Sequence, residues 1–99
     1  MNWLDEIQTE LKRSLPNENP GRTRTIARRA AGIALQHFYH EDNTPYLTLL
    51  QSAAEDRRFP VEVQEAAKRL SERISGDFKS ASVHPIGDAK IIIEFVKKI

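Results

Sequence analysis

Residues 22–40 read RTRTIARRAAGIALQHFYH, a stretch that is rich in alanine and contains no proline. On a helix of about 100° per residue, one side of this stretch is almost entirely apolar. That side carries Ile26, Ala27, Ala30, Ala31, Ile33, Ala34, His37 and Phe38. Because most of these side chains are small, a neighbouring backbone can approach closely. The stretch predicts the central helix of a bundle. Gly32 lies on its polar side, where either close approach by a partner or mere tolerance would explain it.

Further helices are predicted on both sides of the central one, because apolar residues recur there at three- or four-residue spacing. Asn2 is a candidate N-cap, and Pro45 and Pro60 suit the first position of a helix. Gly76 suits a left-handed C-cap. The predicted helices span residues 3–14, 22–40, 45–56, 60–75 and 88–98, with loops at 16–21 and 76–87. The predicted fold class is therefore all-α, a single domain over residues 1–99 built as a bundle of four or five helices.

The last segment, KIIIEFVKKI at residues 90–99, is compatible with two structures. Its isoleucines, phenylalanine and valine favour a strand by propensity, so a hairpin that turns at residues 85–88 is one alternative. The helical spacing of Ala89, Ile92, Ile93 and Val96 indicates a helix, and two lysines in the last turn complement its dipole. We predict the helix.

The composition excludes several classes of protein. The 99 residues include 15 Lys and Arg, 14 Asp and Glu and no cysteine, for a net charge of +1. Without cysteine, a disulfide framework, cysteine-based zinc sites and thiol catalysis are excluded. The first residues mix apolar with charged positions, unlike a signal peptide, and no segment approaches the ~18 apolar residues of a membrane span. We expect a soluble, cytoplasmic protein with no membrane partner.

The densest polar feature is a basic segment, defined here as Arg22, Arg24, Arg28 and Arg29. No acidic residue lies between Glu18 and Glu41. Such a local charge could neutralise phosphates with release of counterions, which indicates binding of nucleic acid or of a partner. The alternative is that the arginine stems cover apolar surface, or that the guanidinium groups pair with acids of the first helix. Those acids are Asp5, Glu6 and Glu10.

A second polar cluster, His37, His40 and Glu41, stands at the end of the central helix. Two histidines at i and i+3 can share a metal ion, but no further ligand at suitable spacing completes the set. We therefore expect a hydrogen-bonded His37 in the core, a solvated His40, and neither metal nor cofactor. No P-loop, dinucleotide motif or glycine-flanked serine occurs, so no catalytic residue is assigned.

Three stretches carry a family resemblance: ARRAAGIAL at residues 27–35, FPVEVQEAAKRL at 59–70 and GDAKIIIEFVKK at 87–98. Together they resemble the HEPN superfamily of small all-helical domains. Ribonuclease members of that superfamily use an arginine followed a few residues later by a histidine, and no arginine stands at that spacing before His37, His40 or His84. The resemblance implies a non-catalytic member, whose roles are partner binding and dimerisation. The chain is also similar to small uncharacterised bacterial helical proteins, for which resemblance implies no activity.

The expected function is that of a non-catalytic helical interaction domain that forms a homodimer or binds a partner protein. A thin core and wide apolar faces favour this hypothesis. One alternative is a nucleic-acid-binding helical protein that uses the basic segment. Another is a HEPN-type ribonuclease or nucleotide-binding protein with a degenerate site around His37 and His40.

Overall fold

The computed structural model describes residues 2–12, 20–41, 43–72 and 85–98, without the side chains of residues 20–22. Its helices are α1 (Trp3–Lys12), α2 (Pro20–Tyr39), α3 (Tyr46–Glu55), α4 (Val61–Ser71) and α5 (Pro85–Lys97). No strand occurs within the four described ranges. The predicted all-α class is therefore confirmed, and the last segment forms a helix rather than a hairpin.

Helix α2 lies at the centre of the bundle and contacts each of the other four helices. Along its apolar side, Ala27, Ala30, Ala31 and Ala34 are fully buried. The large side chains that pack in this core come mainly from the surrounding helices and include Ile7, Leu49, Leu50, Leu70 and Ile92. Small residues on the central helix and large ones on its neighbours let the helices approach closely without leaving voids.

Helix α1 begins where the sequence predicts. The backbone N–H of Leu4 donates to Asn2 Oδ1 at 2.9 Å, which confirms Asn2 as the N-cap. Asp5 and Glu6 follow in the first turn, where the helix dipole favours negative charge. The last two residues of the predicted helix, 13 and 14, lie outside the described residues.

Two helices begin earlier than predicted. Helix α2 starts at Pro20 and α5 at Pro85, so the predicted loops 16–21 and 76–87 extend too far at their C-terminal ends. Proline suits the first helical position because its φ is already helical and its missing N–H would have no partner there. The remainder of both predicted loops lies outside the described residues.

Helices α3 and α4 begin one residue later than predicted, because Pro45 and Pro60 serve as N-caps with extended ψ values of 144° and 157°. Each proline carbonyl accepts the first helical hydrogen bond, from the N–H of Leu49 at 3.1 Å and of Gln64 at 3.0 Å. Proline is accepted in this position as well, since an N-cap residue needs no N–H partner inside the helix.

Helix α4 ends at Ser71 rather than at the predicted Ser75, and Glu72 is extended with ψ 145°. The Arg28 side chain of α2 donates from Nε to the carbonyl of Leu70 at 2.5 Å and from Nη2 to the carbonyl of Glu72 at 2.7 Å. Carbonyl groups at the end of a helix need such partners. A contact from α2, which is far from α4 in the sequence, therefore fixes the C-terminal end of α4. The predicted C-cap Gly76 lies outside the described residues.

An ion pair joins the end of α4 to the beginning of α5. Arg69 Nη2 lies 2.8 Å from Asp88 Oδ1, and Arg69 Nε lies 3.2 Å from both carboxylate oxygens. The Asp88 side chain is almost fully buried, and its carboxylate raises the pKa of Arg69. This bidentate pair holds the two helices together at one end of their shared interface.

Gly32 lies in van der Waals contact with α3. A Cβ atom at this position would stand 2.7 Å from Tyr46 Cβ and would also overlap the Tyr46 ring. Because the Tyr46 Cβ is fixed to the backbone of α3, rotation of the ring cannot relieve the overlap with this atom. Of the two explanations for Gly32, close approach is therefore correct.

We expect Gly32→Ala to lower the free energy of unfolding by about 1–3 kcal/mol, because the free-energy cost of overpacking exceeds the ~1 kcal/mol gained from the higher helix propensity of alanine. Urea denaturation monitored by circular dichroism measures the change. In a Tyr46→Gly background, which removes the Cβ atom as well as the ring, the same substitution should cost nothing or stabilise the protein. A stabilising Gly32→Ala in the otherwise native chain would contradict the contact.

The connection between α3 and α4 is organised by the carboxylate of Asp56. Asp56 Oδ2 accepts a hydrogen bond from the hydroxyl of Tyr39 at 2.7 Å, and the Arg58 side chain donates to both carboxylate oxygens. The Arg58 guanidinium also lies over the rings of Phe38 and Tyr39, 4.9 and 5.4 Å from their centroids. The hydrogen bonds from Arg58 are the main cause that lowers the pKa of Asp56, whereas burial and the Asp56 carboxylate raise that of Tyr39.

In the unfolded chain an aspartate has a pKa of about 4. A carboxyl group whose pKa is lower in the folded chain stabilises the fold fully at pH values above the unfolded pKa. This stabilisation is lost as the pH falls towards the pKa of the folded chain and through it. We therefore expect Asp56→Asn to lower the free energy of unfolding at pH 7 by about 1–2 kcal/mol. The difference from the native chain should shrink progressively below about pH 4. Denaturation titrations between pH 7 and pH 2 measure it. Glu55→Gln, at the neighbouring exposed carboxylate, is the control and should change little at any pH.

Candidate functional site

The described side chains of the basic segment do not share one exposed face. Arg24 is 8% exposed, and Arg28 is half-buried with its guanidinium on the carbonyls at the end of α4. Burial lowers the pKa of Arg28, and the positive charge of Arg24 lowers it further. Arg29 is exposed, and Arg22 belongs to α2 with its side chain outside the described residues. The sequence suggested that these arginines bind phosphates or a partner, or else cover apolar surface or pair with acids of α1. Neither interpretation anticipated that Arg28 donates to backbone carbonyls.

His37 lies on the surface, which corrects the expectation that it is buried in the core. It stacks on Trp3 of α1, with ring centroids 4.5 Å apart and an interplanar angle of 16°. The apolar side of α2 faces the start of α1 near the C-terminal end of α2. There the planar ring of Trp3 covers one face of the His37 imidazole and leaves the rest of it in water. Trp3 and His37 thus close the edge of the α1–α2 contact.

His40 ends α2 in the left-handed conformation, with φ 57°, so the helix stops one residue before the predicted end. The N–H of Glu41 donates to the carbonyl of Gln36 at 3.1 Å, which is the longer hydrogen bond of a Schellman motif, and His40 takes the position where glycine is preferred. Non-glycine residues are uncommon in this conformation, although histidine is enriched among them. The exposed imidazole lies 6.4 Å from that of His37, centroid to centroid.

The structure brings His37 and His40 together, and it gives Glu41 a different partner. The Glu41 carboxylate accepts a hydrogen bond from the hydroxyl of Thr44 at 2.6 Å. The two histidines, Phe38 and Val96 line a depression of about 160 Å³. Within the described part of the chain, no group of three histidine, aspartate or glutamate side chains is arranged to hold a metal ion.

A larger concave surface lies between the beginning of α4 and the second half of α5, with a volume of about 340 Å³. Its apolar residues are Pro60, Val63, Ile91 and Phe95, and its charged residues are Glu62, Lys90, Glu94 and Lys98. We call this surface the α4–α5 groove. Val61, in the same turn of α4 but outside the lining of the groove, is 66% exposed, which is unusual for a large apolar side chain.

The floor of the groove is anchored in the core. The ring of Phe95 meets that of the buried Phe59 edge to face, with centroids 5.2 Å apart. Phe59 in turn contacts the ring of Phe38, with centroids 4.7 Å apart. A chain of aromatic contacts therefore fixes Phe95, so the apolar floor is preformed.

Sequence reasoning missed the groove although a signal was present. The helical stripe of Ala89, Ile92, Ile93 and Val96 accounts for the buried side of α5. It leaves two large apolar residues, Ile91 and Phe95, one turn apart on a different side. A helix with apolar residues beyond the stripe that covers the core carries a candidate contact surface.

We expect Arg28→Ala to lower the free energy of unfolding by about 1–3 kcal/mol, because it removes the donors of two carbonyl groups at the end of α4. Arg29→Ala removes the same charge from the exposed neighbouring position and should change it by less than about 0.5 kcal/mol. Urea denaturation of both variants at neutral pH gives the comparison. Equal effects would show that the contact of Arg28 with α4 does not stabilise the fold.

None of the helices in the described ranges is long and apolar enough to cross a lipid bilayer. Comparison with protein families, with curated proteins and with solved structures found no match to this chain.

Proposed function

We propose that the chain is a non-catalytic helical interaction domain that self-associates through the α4–α5 groove. The observation that carries this proposal is the groove itself, in which a preformed apolar floor is bordered by charges of both signs. Preformed apolar concavities with a polar rim are typical of sites where proteins bind one another.

The charges around the groove favour a second copy over a strongly charged partner. Two lysines, Lys90 and Lys98, are balanced by two glutamates, Glu62 and Glu94, and all four are exposed. A rim of one sign would select a partner of the opposite sign, whereas a balanced rim is complementary to itself. The net charge of +1 adds little repulsion between two copies.

The neighbouring residues would enlarge the contact. A specific dimer usually buries about 800 Å² on each partner, which exceeds what two short crossing helices cover alone. Pro60 and Val63 at the beginning of α4 line the groove and would be covered together with α5. Removing the exposed part of their side chains from water adds to the free energy of association.

The HEPN-like assignment is part of this proposal. The arrangement of the five described helices suits a small helical domain of that kind, and the missing arginine–histidine spacing suits a member without ribonuclease activity. Nucleic-acid binding by the basic segment is less favoured, because Arg24 is buried and Arg28 is engaged with α4.

We expect the native chain to sediment with up to twice the 11.3 kDa of one chain as its concentration rises from about 1 µM to about 1 mM, a range in which weak dimers dissociate. Ile91→Glu should keep the chain monomeric over this range, because it introduces a charge into the apolar floor. Leu47→Glu is the matched control. It alters an exposed apolar residue of α3 outside the groove and should leave association unchanged.

Circular dichroism and thermal unfolding verify that both variants remain folded. A native chain that is monomeric at the highest concentration would overturn the proposal. A Leu47→Glu variant that dissociates while Ile91→Glu still dimerises would place the contact elsewhere.

A further inference from the structure

The pattern of charges along α5 points to one particular arrangement of two copies. We propose that α5 packs antiparallel against α5 of the second copy across a two-fold axis, with Lys90 of each copy beside Glu94 of the other. This inference rests on the proposed self-association and specifies the direction and register in which the two α5 helices meet.

Helix α5 has two distinct sides. Ala89, Ile92, Ile93 and Val96 face the core and are buried. The residues on the other side follow i, i+3 and i+4 spacing and border the groove: Lys90, Ile91, Glu94, Phe95 and Lys98. On this outer side, the apolar pair Ile91 and Phe95 runs beside a row of charges.

The order of these charges determines the direction of packing. Along the helix, Lys90 is positive, Glu94 is negative and Lys98 is positive. In a parallel pair at equal height, each charge would stand next to its own equivalent, which is repulsive. An antiparallel pair centred between Lys90 and Glu94 brings each lysine next to a glutamate. Because these residues are about 6 Å apart along the helix axis, both ion pairs form near the two-fold axis.

A second antiparallel register would pair Glu94 with Lys98, and the position of Lys98 disfavours it. Lys98 lies just beyond the end of α5 at Lys97, so a crossing there would leave Ile91 uncovered. A crossing centred between Lys90 and Glu94 covers both apolar residues, Ile91 and Phe95.

Charge reversal tests the register. Lys90→Glu alone and Glu94→Lys alone should each weaken self-association at least about tenfold, because two-fold symmetry places two like-charge pairs in each dimer. Mixing the two single variants in equal amounts should restore association as a heterodimer, since both contacts then pair opposite charges. The double variant should also associate like the native chain. Lys68→Glu reverses an exposed charge of α4 outside the groove, so it is the control and should change association little. Lys98→Glu tests the second register.

Sedimentation velocity with one variant fluorescently labelled measures each affinity, and thermal unfolding checks that the exposed substitutions leave the fold intact. If the mixture and the double variant stay monomeric while the native chain dimerises, this register is wrong and the self-association stands. If Lys98→Glu dissociates the dimer and Lys90→Glu does not, the second register is the correct one. A monomeric native chain would overturn both the arrangement and the proposed function.

Discussion

The bundle depends on the close approach that the small residues of α2 allow. On one side, Ala27, Ala30, Ala31 and Ala34 leave room for the large side chains of the surrounding helices. On another side, Gly32 leaves room for Tyr46 of α3. A helix with small residues on two sides can pack against several neighbours at short interaxial distance. This is why α2 can contact each of the four other helices in the described part of the chain.

Local chemistry predicted the helices well and their ends less well. The apolar period and the Asn2 cap act within one or two turns, so the sequence suffices to place them. The end of α4 at Ser71 depends on Arg28, which is more than forty positions away in the sequence. Proline marks the beginning of a helix, but it can be the first helical residue, as Pro20 is, or the N-cap, as Pro60 is. Sequence spacing alone does not distinguish these two positions.

The candidate site was harder to predict for a related reason. A run of arginines in the sequence indicates charge but not the direction of each side chain, and burial of Arg24 and Arg28 follows from the packing of α2 against its neighbours. His37 belongs to the apolar stripe by angle, yet it lies at the edge of α1 and stacks on Trp3. Conversely, Ile91 and Phe95 were visible as apolar residues in excess of the core stripe. Their significance depends on α4 forming the opposite wall of the groove.

The Arg69–Asp88 pair and the aromatic chain around Phe59 define what α5 can offer to a partner. The ion pair fixes the beginning of α5 against α4, and the contact of Phe59 with Phe95 fixes its second half. With both ends held, the outer side of α5 is rigid before any contact forms, which reduces the entropy lost on association. Apolar residues on such a surface provide affinity, whereas the alternating charges discriminate between registers and directions. An alternating row of lysine and glutamate beside a fixed apolar pair, balanced across the groove by Glu62 of α4, therefore suits a symmetric contact better than a contact with nucleic acid, which requires an excess of positive charge.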